Sequence, residues 1–273
     1  GKKIFKTLRK KARLSNIRLI VSGGAPISKE TLTKYNFLGF YFIQGYGLTE
    51  ASPIVTLNSH SHKKVGSIGC AIPGVQVKIW NPDKDGIGEI VVKGDIVMRG
   101  YYKNPEATKQ AFTEDGWLRT GDLAYVDEDR YFFIKGRCKN LIVTSGGKNV
   151  FPEELEFLIL KSEFIAECLV RGIPKPKSSG EIIEALIFPD YNYFEEYCRE
   201  HNLPINDETL NNVLKQEISK INEKLPIYKR IRDFQIREEE FEKTSTRKIK
   251  RYLYKWQPIT VEEIESERIK KGV

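Results

Sequence analysis

Residues 17–52 read IRLIVSGGAPISKETLTKYNFLGFYFIQGYGLTEAS and carry the pattern that sets the fold class. The apolar run IRLIV leads into the turn SGGAP, after which a helical stretch begins near Ser28. A second apolar run, YFIQ at 41–44, follows that helix. Strand, helix and strand in this order are typical of an α/β domain. Because the piece is too short to be a complete one, we predict that residues 1–64 are the end of an α/β subdomain.

The next part of the chain, residues 65–136, has the alternating pattern of β-strands. Its runs of alternating apolar and polar residues are separated by NPDKDG, EDG and DEDR, which are turn sequences. The runs themselves read VQVKIW, GEIVVKG and RYFFIKG. The pattern predicts a β-rich, barrel-like subdomain, with a sandwich as the alternative.

Over residues 137–273 the pattern changes to α+β. It predicts a strand at LIVT, a helix from Pro152, strands near 167–172 and 182–188, and a last strand at IRDFQI. The stretch 207–224 is predicted to be a long helix with an apolar stripe typical of a surface that faces a core. That stripe consists of Leu210, Val213, Leu214, Ile218 and Ile221. We therefore predict a small α+β domain here and an α/β and α+β multidomain chain as a whole.

The composition agrees with a folded chain of several domains. Its 273 residues exceed the roughly 100 to 200 of a typical domain, and 40% of them are hydrophobic. No apolar run approaches the ~18 residues of a membrane span. The four cysteines are scattered, which indicates a reducing compartment, the cytoplasm, and no zinc site. Because the chain begins with Gly1 and contains a single Met, Met98, we interpret it as a piece of a longer polypeptide.

The net charge of +8 comes from the start of the chain. Residues 1–18 hold eight basic side chains and no acidic one, so the other basic and acidic residues balance. A basic helix with an apolar stripe permits contact with an anionic membrane surface or with nucleic acid. We favour a solvated helix whose apolar stripe packs on the protein, and we expect no nucleic-acid partner.

The common phosphate-binding patterns are absent from the sequence. The pattern GxxxxGK[ST] fails at Lys148, because Asn149 follows it and Ile142 stands where the first glycine should be. The pattern GxGxxG fails because Gly45 and Gly47 have no third glycine after them. The sequence therefore predicts neither a Walker loop nor a Rossmann fingerprint.

The loop QGYGLTEAS at 44–52 has groups that suit a nucleotide. The ring of Tyr46 can stack on a base, the hydroxyl of Thr49 can bond a phosphate oxygen, and the carboxylate of Glu50 can hold Mg²⁺ beside phosphates. Glycines allow a ligand to approach the backbone. Taken alone, the loop is better explained as an ordinary strand-to-helix turn capped by Thr49.

Five motifs follow one another in a recognisable order. They read SGGAP at 22–26, YGLTE at 46–50, GWLRTGDLAY at 116–125, GRCKNLIVTSGGKNVFPEELE at 136–156 and KTSTRKIKR at 243–251. In content and order they resemble the core motifs of the adenylate-forming enzymes, which include acyl-CoA synthetases, peptide-synthetase adenylation domains and firefly luciferase. The resemblance covers roughly residues 17–252.

The resemblance implies a nucleotide-binding role for the earlier motifs. Tyr46 would stack on adenine, Thr49 would contact the α-phosphate and Glu50 would ligate Mg²⁺. Asp122 would accept hydrogen bonds from the ribose hydroxyls, although a turn-capping aspartate is the alternative for this residue. The remaining nucleotide-binding residues implied are Gly23, Gly24 and Ala25 at the adenine edge and acyl pocket, Gly47 beside Tyr46, and Arg137 near the ribose and phosphate.

Lys248 is implied to be the catalytic lysine of adenylation. In that reaction a substrate carboxylate meets the α-phosphate of ATP, and a cation between these like-charged groups stabilises the transition state. The sequence departs from the family at two nearby positions. Arg247 stands where many members have glycine, and Glu242 stands where many have proline.

The resemblance also implies a second step and a domain rotation. The thiol of coenzyme A attacks the acyl-AMP and releases AMP, and the C-terminal domain rotates between the two steps. Lys139 would be the hinge. Three residues, Ser145, Gly146 and Gly147, would then border the coenzyme A channel.

The sequence thus favours the C-terminal part of an ATP-dependent, AMP-forming acyl-CoA ligase. Long-chain fatty acid is the preferred substrate, because FPDYNYFEEYCREHNLPINDETL and KTSTRKIKRY resemble the long-chain branch. The alternatives are a ligase for short or aromatic acids, acyl transfer to a carrier protein, or a binding module that uses the basic helix. In the family, the loop that binds the β- and γ-phosphates lies upstream of SGGAP. We therefore expect residues 1–273 alone to be inactive. We expect the enzyme in the cytoplasm, with peripheral membrane contact as a further option.

Overall fold

The computed structural model describes residues 2–25, 27–59, 62–175 and 179–256, without the side chains of residues 2–4 and 8. Pro26 of the SGGAP turn and the last 17 residues of the predicted α+β domain, 257–273, lie outside this part of the chain. The chain divides into two compact units, residues 1–139 and 140–273. The prediction placed a boundary at residue 137, three residues before this division.

The first unit begins with the expected α/β piece. Its four-stranded sheet has the order β1-β2-β3-β4, and β1 and β2 run parallel because helix α2 connects them. Ser28 begins that helix as predicted, since its hydroxyl accepts a hydrogen bond from the N–H of Thr31 at 2.9 Å. The elements are α1 Lys2–Lys11, β1 Ile20–Ser22, α2 Lys29–Phe37, β2 Phe42–Gly47, β3 Ile54–Leu57 and β4 Cys70–Ala71.

The basic helix α1 contacts the protein through Arg9. The guanidinium group donates to the carbonyls of Gly39 and Ile17 and lies 4.7 Å from the centre of the Phe40 ring. These are contacts of a basic side chain, so packing of the apolar stripe of α1 on the protein stays a prediction. Among the described residues, no helix is both long and apolar enough to cross a membrane.

The β-rich part of the first unit is an open sheet. Its strands pair in the order β5-β6-β7-β8, each antiparallel to the next. In the described residues this sheet keeps two edges, so the predicted barrel is not closed. The buried side chains that hold it include Ile90, Val92, Leu118 and Phe132. The elements are β5 Gln76–Trp80, β6 Gly88–Lys93, α3 Pro105–Ala111, β7 Leu118–Val126 and β8 Phe132–Arg137.

The second unit has the predicted α+β architecture. Strands β11 and β12 are antiparallel, β13 joins β12 in parallel, and β11 and β13 are the two edge strands. The predicted stripe of the long helix faces the core of this unit, as the pattern indicates. The elements are β9 Ile142–Val143, β10 Asn149–Val150, α4 Pro152–Ile159, β11 Ile165–Pro174, β12 Glu181–Pro189, α5 Tyr191–His201, α6 Asp207–Glu223 and β13 Asp233–Ile236. The predicted mixed fold class is confirmed.

Candidate functional site

The turn after β1 lies beside the carboxyl-terminal part of β2, the strand that contains Gly45 and Gly47. The strands are parallel and Ser22 is in register with Gln44, so the loops that follow them leave the same edge of the sheet. A Cβ atom at Gly23 would lie 3.5 Å from the carbonyl oxygen of Gly45. Ligands of α/β sheets bind at this kind of edge. The structure thus brings the predicted residues of SGGAP next to those of YGLTE.

The turn after β2 depends on Gly47. A Cβ atom there would lie 1.6 Å from the carbonyl oxygen of Pro53, so this position accepts glycine alone. The turn continues into a short 3₁₀ helix, Thr49–Ala51, which begins without a side-chain cap. Capping by Thr49, the alternative that the sequence left open, is therefore wrong. Thr49 is instead an exposed residue inside this helix.

Tyr46, Asp122 and Arg137 meet in one cluster although they come from three motifs. The hydroxyl of Tyr46 donates to Oδ2 of Asp122 at 2.7 Å, and Nε of Arg137 lies 2.9 Å from Oδ1 of the same carboxylate. Burial, and then the charge of Asp122, raise the pKa of Tyr46 strongly, so its hydroxyl keeps its proton and acts as a donor. Each carboxylate oxygen has two lone pairs, so Asp122 can still accept hydrogen bonds from a ligand.

Asp122 points into this cluster because of an irregularity in β7. Gly121, which precedes Asp122, has a φ of 72°, in the left-handed region. The register between β7 and β8 shifts between Leu123 and Ala124. The N–H of Asp122 donates to the hydroxyl of Thr120, and the carbonyl of Thr120 accepts from Arg137. Asp122 is therefore a strand residue, and the turn-capping alternative for it is wrong.

Two residues that the sequence analysis did not single out support the predicted ones. Oε1 of Glu89 accepts from the N–H of Gly121 at 2.9 Å, while its Oε2 is bonded to Arg119. The signal for Glu89 is its place inside the apolar strand GEIVV, because a buried carboxylate needs partners. Tyr101 donates to Oε1 of Glu50 at 2.9 Å, and this bond raises the pKa of Tyr101.

Glu50 offers a donor set that fits Mg²⁺ in the presence of a nucleotide. Mg²⁺ is usually held by one or two carboxylates together with phosphate oxygens and water. Glu50 supplies one carboxylate, held by Tyr101 through one oxygen. Among the described residues, no group of three or more acidic, histidine or cysteine side chains forms a site by itself. The phosphates of the nucleotide would therefore have to complete the coordination, where the ion would neutralise their charge.

The predicted lysines and the coenzyme A channel residues are exposed, Lys139 in the short 3₁₀ helix Cys138–Asn140 and the others at turns. Lys139 is exposed and is the last residue of the first unit. The second unit contains Ser145, Gly146 and Gly147 in an exposed turn after β9. It also contains Lys248, exposed in a turn within residues 242–250, a segment that we call the Lys248 arm. The structure describes each unit by itself, so the roles of these residues stay predictions.

The Lys248 arm gives a local explanation for Glu242, while Arg247 stands where the backbone favours glycine. Arg247 has a φ of 60°, in the left-handed region, where glycine is the least strained residue. The N–H of Glu242 donates to the hydroxyl of Tyr254, and its carboxylate lies 3.0 Å from Nζ of Lys250. Proline at position 242 would lack that N–H. This chain thus uses a charge pair and a hydrogen bond where many members have proline.

Family models match most of the chain. One is described as an AMP-binding enzyme and matches residues 2–102, and the other, an AMP-binding enzyme C-terminal domain, matches residues 139–257. Together they cover the loops of Tyr46 and Glu50 in the first unit and the Lys248 arm in the second.

Among curated proteins, a feruloyl-CoA synthase from Amycolatopsis sp is 38% identical over 185 residues, 65% of this chain and 37% of that protein. The long-chain-fatty-acid–CoA ligase FadD15 from Mycobacterium bovis is 41% identical over 180 residues, 66% of this chain and 28% of that protein. The chain thus spans about a third of the length of these relatives. A structure of O-succinylbenzoate coenzyme A synthetase (MenE) from Bacillus subtilis with ATP and magnesium matches with a TM-score of 0.68 and 26% identity. This match covers 92% of the chain and 49% of MenE.

Proposed function

The chain belongs to the AMP-binding enzyme family, and from this premise we propose that it is the C-terminal part of an AMP-forming acid–CoA ligase. The observation that carries the proposal is the hydrogen bond between Tyr46 and Asp122, 2.7 Å long, which joins two motifs 76 residues apart. Their cluster lies in the same unit as the turn after β1 and the glycines of β2. A donor hydroxyl, a two-oxygen acceptor and a guanidinium group together suit a nucleotide.

In the first step that we propose, a carboxylate oxygen of the acid attacks the α-phosphorus of ATP. The bond between the α- and β-phosphates breaks, pyrophosphate leaves and acyl-AMP forms. Asp122 and Tyr46 would hold the ribose and adenine, Thr49 would donate to the α-phosphate, and Lys248 would supply the cation that stabilises the transition state. Lys248 lies at an exposed position of the second unit.

In the second step, the thiol of coenzyme A attacks the carbonyl carbon of acyl-AMP. The thioester forms, the bond to the phosphate oxygen breaks, AMP leaves and the thiol proton passes to solvent. The two flexible positions Gly146 and Gly147 have open space around their α-carbons, which suits the passage of a thin pantetheine arm. We keep Lys139 as the proposed hinge and Ser145 as a further residue of this channel.

For the acid, we propose a long-chain fatty acid. The similarity to FadD15 supports this choice, while the feruloyl-CoA synthase of similar identity favours an aromatic acid as the second candidate. We also propose that the enzyme acts in the cytoplasm. We further propose that helix α1 can contact an anionic membrane surface. The last turn of this helix carries three basic side chains, Arg9, Lys10 and Lys11.

The test is pyrophosphate exchange into ATP by the full-length protein, measured with palmitate, acetate, ferulate and benzoate in parallel. We expect exchange to be fastest with palmitate and to fall at least about a hundredfold in Lys248→Ala, because a transition-state cation is lost. If exchange is fastest with ferulate or benzoate, the proposed substrate is an aromatic acid and not a fatty acid. The absence of exchange with every acid, or full exchange in Lys248→Ala, would reject the proposal itself.

A further inference from the structure

The Lys248 arm holds Lys248 at the tip of a short hairpin. Its two halves pair through an antiparallel bridge between Lys243 and Ile249, and the turn at its tip is exposed. A hairpin this short is marginally stable by itself in water. The position of the main chain at Lys248 therefore depends on the contacts that fix the base of the arm.

At its C-terminal end, the arm is fixed by Arg251, three residues after Lys248. One guanidinium nitrogen of Arg251 forms an ion pair with the carboxylate of Glu156 on α4. Another donates to the carbonyl of Val170 on β11 at 3.3 Å. The N–H of Val170 in turn donates to the other carboxylate oxygen of Glu156 at 2.7 Å, so the three residues are bonded to one another. Arg251 thus ties the arm to a helix and to a strand at once.

This pair is buried enough that neither partner can be removed without consequence. The side chain of Glu156 is 13% exposed and that of Arg251 is 27% exposed. Burial raises the pKa of Glu156, and the charge of Arg251 opposes this effect. A buried charge that loses its partner is strongly destabilising locally. Val170 lies on an edge strand of its sheet, and the pair gives its backbone the partners that a further strand would otherwise supply.

The N-terminal end of the arm is fixed by a second set of charges. Lys243 forms ion pairs with Glu167 on β11 and with Glu240. The N–H of Phe241 donates to Glu167 at 3.1 Å. Beneath the arm, Ile249 packs against a small apolar cluster that includes Leu169, Leu186 and Phe241. Both ends of the arm are therefore held on the same strand, β11, while its tip is left in solvent.

We propose that Arg251 and Glu156 are positioning residues for Lys248, which hold its ammonium group where adenylation needs it. The inference rests on the proposed function, since it takes Lys248 as the cation of the first step. The two residues touch neither substrate nor phosphate in this role. They act through the arm, because the main chain from Lys248 to Arg251 is only three residues long.

A displaced cation is expected to cost rate rather than substrate affinity. A shift of about 1 Å in a catalytic group can lower a rate about a hundredfold. Because the lysine acts mainly in the transition state, kcat falls while KM for ATP and for the acid stays nearly constant. Arg251→Gln should therefore lower kcat for pyrophosphate exchange in the full-length protein by about ten- to a hundredfold.

The decisive measurement repeats Arg251→Gln in the Lys248→Ala background. A positioning residue has nothing left to position there, so the second substitution should cause no further loss of kcat. Arg251→Lys keeps the charge but not the forked geometry, and it should restore part of the rate. If Arg251→Gln does not fold, Glu156→Gln takes its place, because the amide preserves the shape of the carboxylate.

Two control variants separate positioning from a general loss of stability. Arg199→Gln breaks an Arg–Glu pair on α5 that makes no contact with the arm, and it should leave kcat unchanged. Ile183→Val removes a buried methyl group from the core of the same unit. When its melting temperature is lowered as much as that of Arg251→Gln, this variant should still keep its kcat.

Three outcomes would overturn the inference. Arg251→Gln could leave kcat unchanged while Lys248→Ala abolishes exchange, which rejects positioning and keeps the proposed function. Its effect could be equally large without Lys248, which shows a different cause. Finally, Lys248→Ala could leave exchange unchanged, which rejects the role of the lysine and the positioning together.

Discussion

Two turns of the second unit have a similar sequence and share the main-chain hydrogen bonds that close them, but different contacts hold them in place. The first turn, residues 144–148, reads TSGGK, and the second turn, residues 244–248, reads TSTRK. In each, the first threonine N–H donates to the lysine carbonyl, at 3.0 and 2.8 Å, and the lysine N–H donates to the threonine hydroxyl at 3.2 Å. Each turn presents its lysine at the fifth position.

The segments that lead into these turns differ in character. The first turn is flanked by β9 and β10, whose Ile142 and Val150 are buried in the main core of the unit. The second turn is flanked by Lys243 and Lys250, which pair with glutamates. One turn is thus anchored mainly by apolar burial, and the other mainly by charges, with Ile249 as its smaller apolar contact. The comparison teaches that one loop geometry can be built on two kinds of support, which respond differently to mutation and to salt.

The largest expected difference concerns the apolar anchors. Ile142→Ala should lower the free energy of unfolding by about 2 to 5 kcal/mol, because its side chain is 1% exposed in the core. Ile249→Ala, at a half-buried position in the small cluster, should cost less than half as much. Urea unfolding of the chain, followed by circular dichroism, measures both.

Equal losses in the two isoleucine variants would remove the distinction between the anchors. Ile54→Ala serves as the control for a mutation without burial, because that side chain is 46% exposed and lies in the first unit. Its free energy of unfolding should change by about 0.5 kcal/mol or less.

Sequence patterns predicted the supports of these turns unequally. The apolar run LIVT and the helix from Pro152 predict the first turn's surroundings, because a buried strand followed by an amphipathic helix is a strong local signal. The charge pairs of the Lys248 arm join residues far apart in the chain, such as Arg251 and Glu156. No local periodicity encodes such pairs, so the sequence could not predict them.

The candidate site shows the same limit. The motifs placed Tyr46, Asp122 and Arg137 in one ligand site, and the structure brings these three side chains together. The strand around Asp122 was not predicted, because Thr-Gly-Asp is typical of a turn and a left-handed glycine inside a strand has no clear pattern. Glu89 was missed since its role depends on cross-strand pairing.

The next difference concerns the left-handed residue that each turn requires. Gly147 has a φ of 67° and Arg247 a φ of 60°. Gly147→Ala should cost about 1 to 2 kcal/mol of unfolding free energy, and the cost is conformational, because no atom lies within 4 Å of the added Cβ. Arg247→Gly should be neutral or stabilising by up to about 1 kcal/mol, since relief of strain exceeds the added freedom of the unfolded chain.

Thermal unfolding of both variants checks this prediction. Gly146→Ala is the matched control, because Gly146 lies beside Gly147 in open space and has no left-handed φ. A destabilising Arg247→Gly would mean that contacts of the arginine side chain, and not the backbone, decide the stability of the second turn.

The smallest expected difference is the response to salt. Raising the salt concentration from 0.1 to 1 M shortens the Debye length from about 10 to about 3 Å and screens exposed charge pairs. The pair of Lys250 with Glu242 should weaken, so the amide of Lys248 should exchange its hydrogen about two- to threefold faster. The amide of Lys148 should not respond, since its turn is anchored by apolar side chains. The ratio of the two rates, measured by NMR in one sample, cancels the effect of salt on intrinsic exchange.

A single variant can show that this response comes from the charges of the arm. Glu242→Gln removes the partner of Lys250 but keeps the backbone N–H that donates to Tyr254. In this variant the exchange rate of the Lys248 amide should already be raised at low salt and should change little at high salt. If the ratio to Lys148 still rises with salt, the arm is held by charges other than this pair, and the ion pairs of Lys243 with Glu167 and Glu240 become the next groups to substitute.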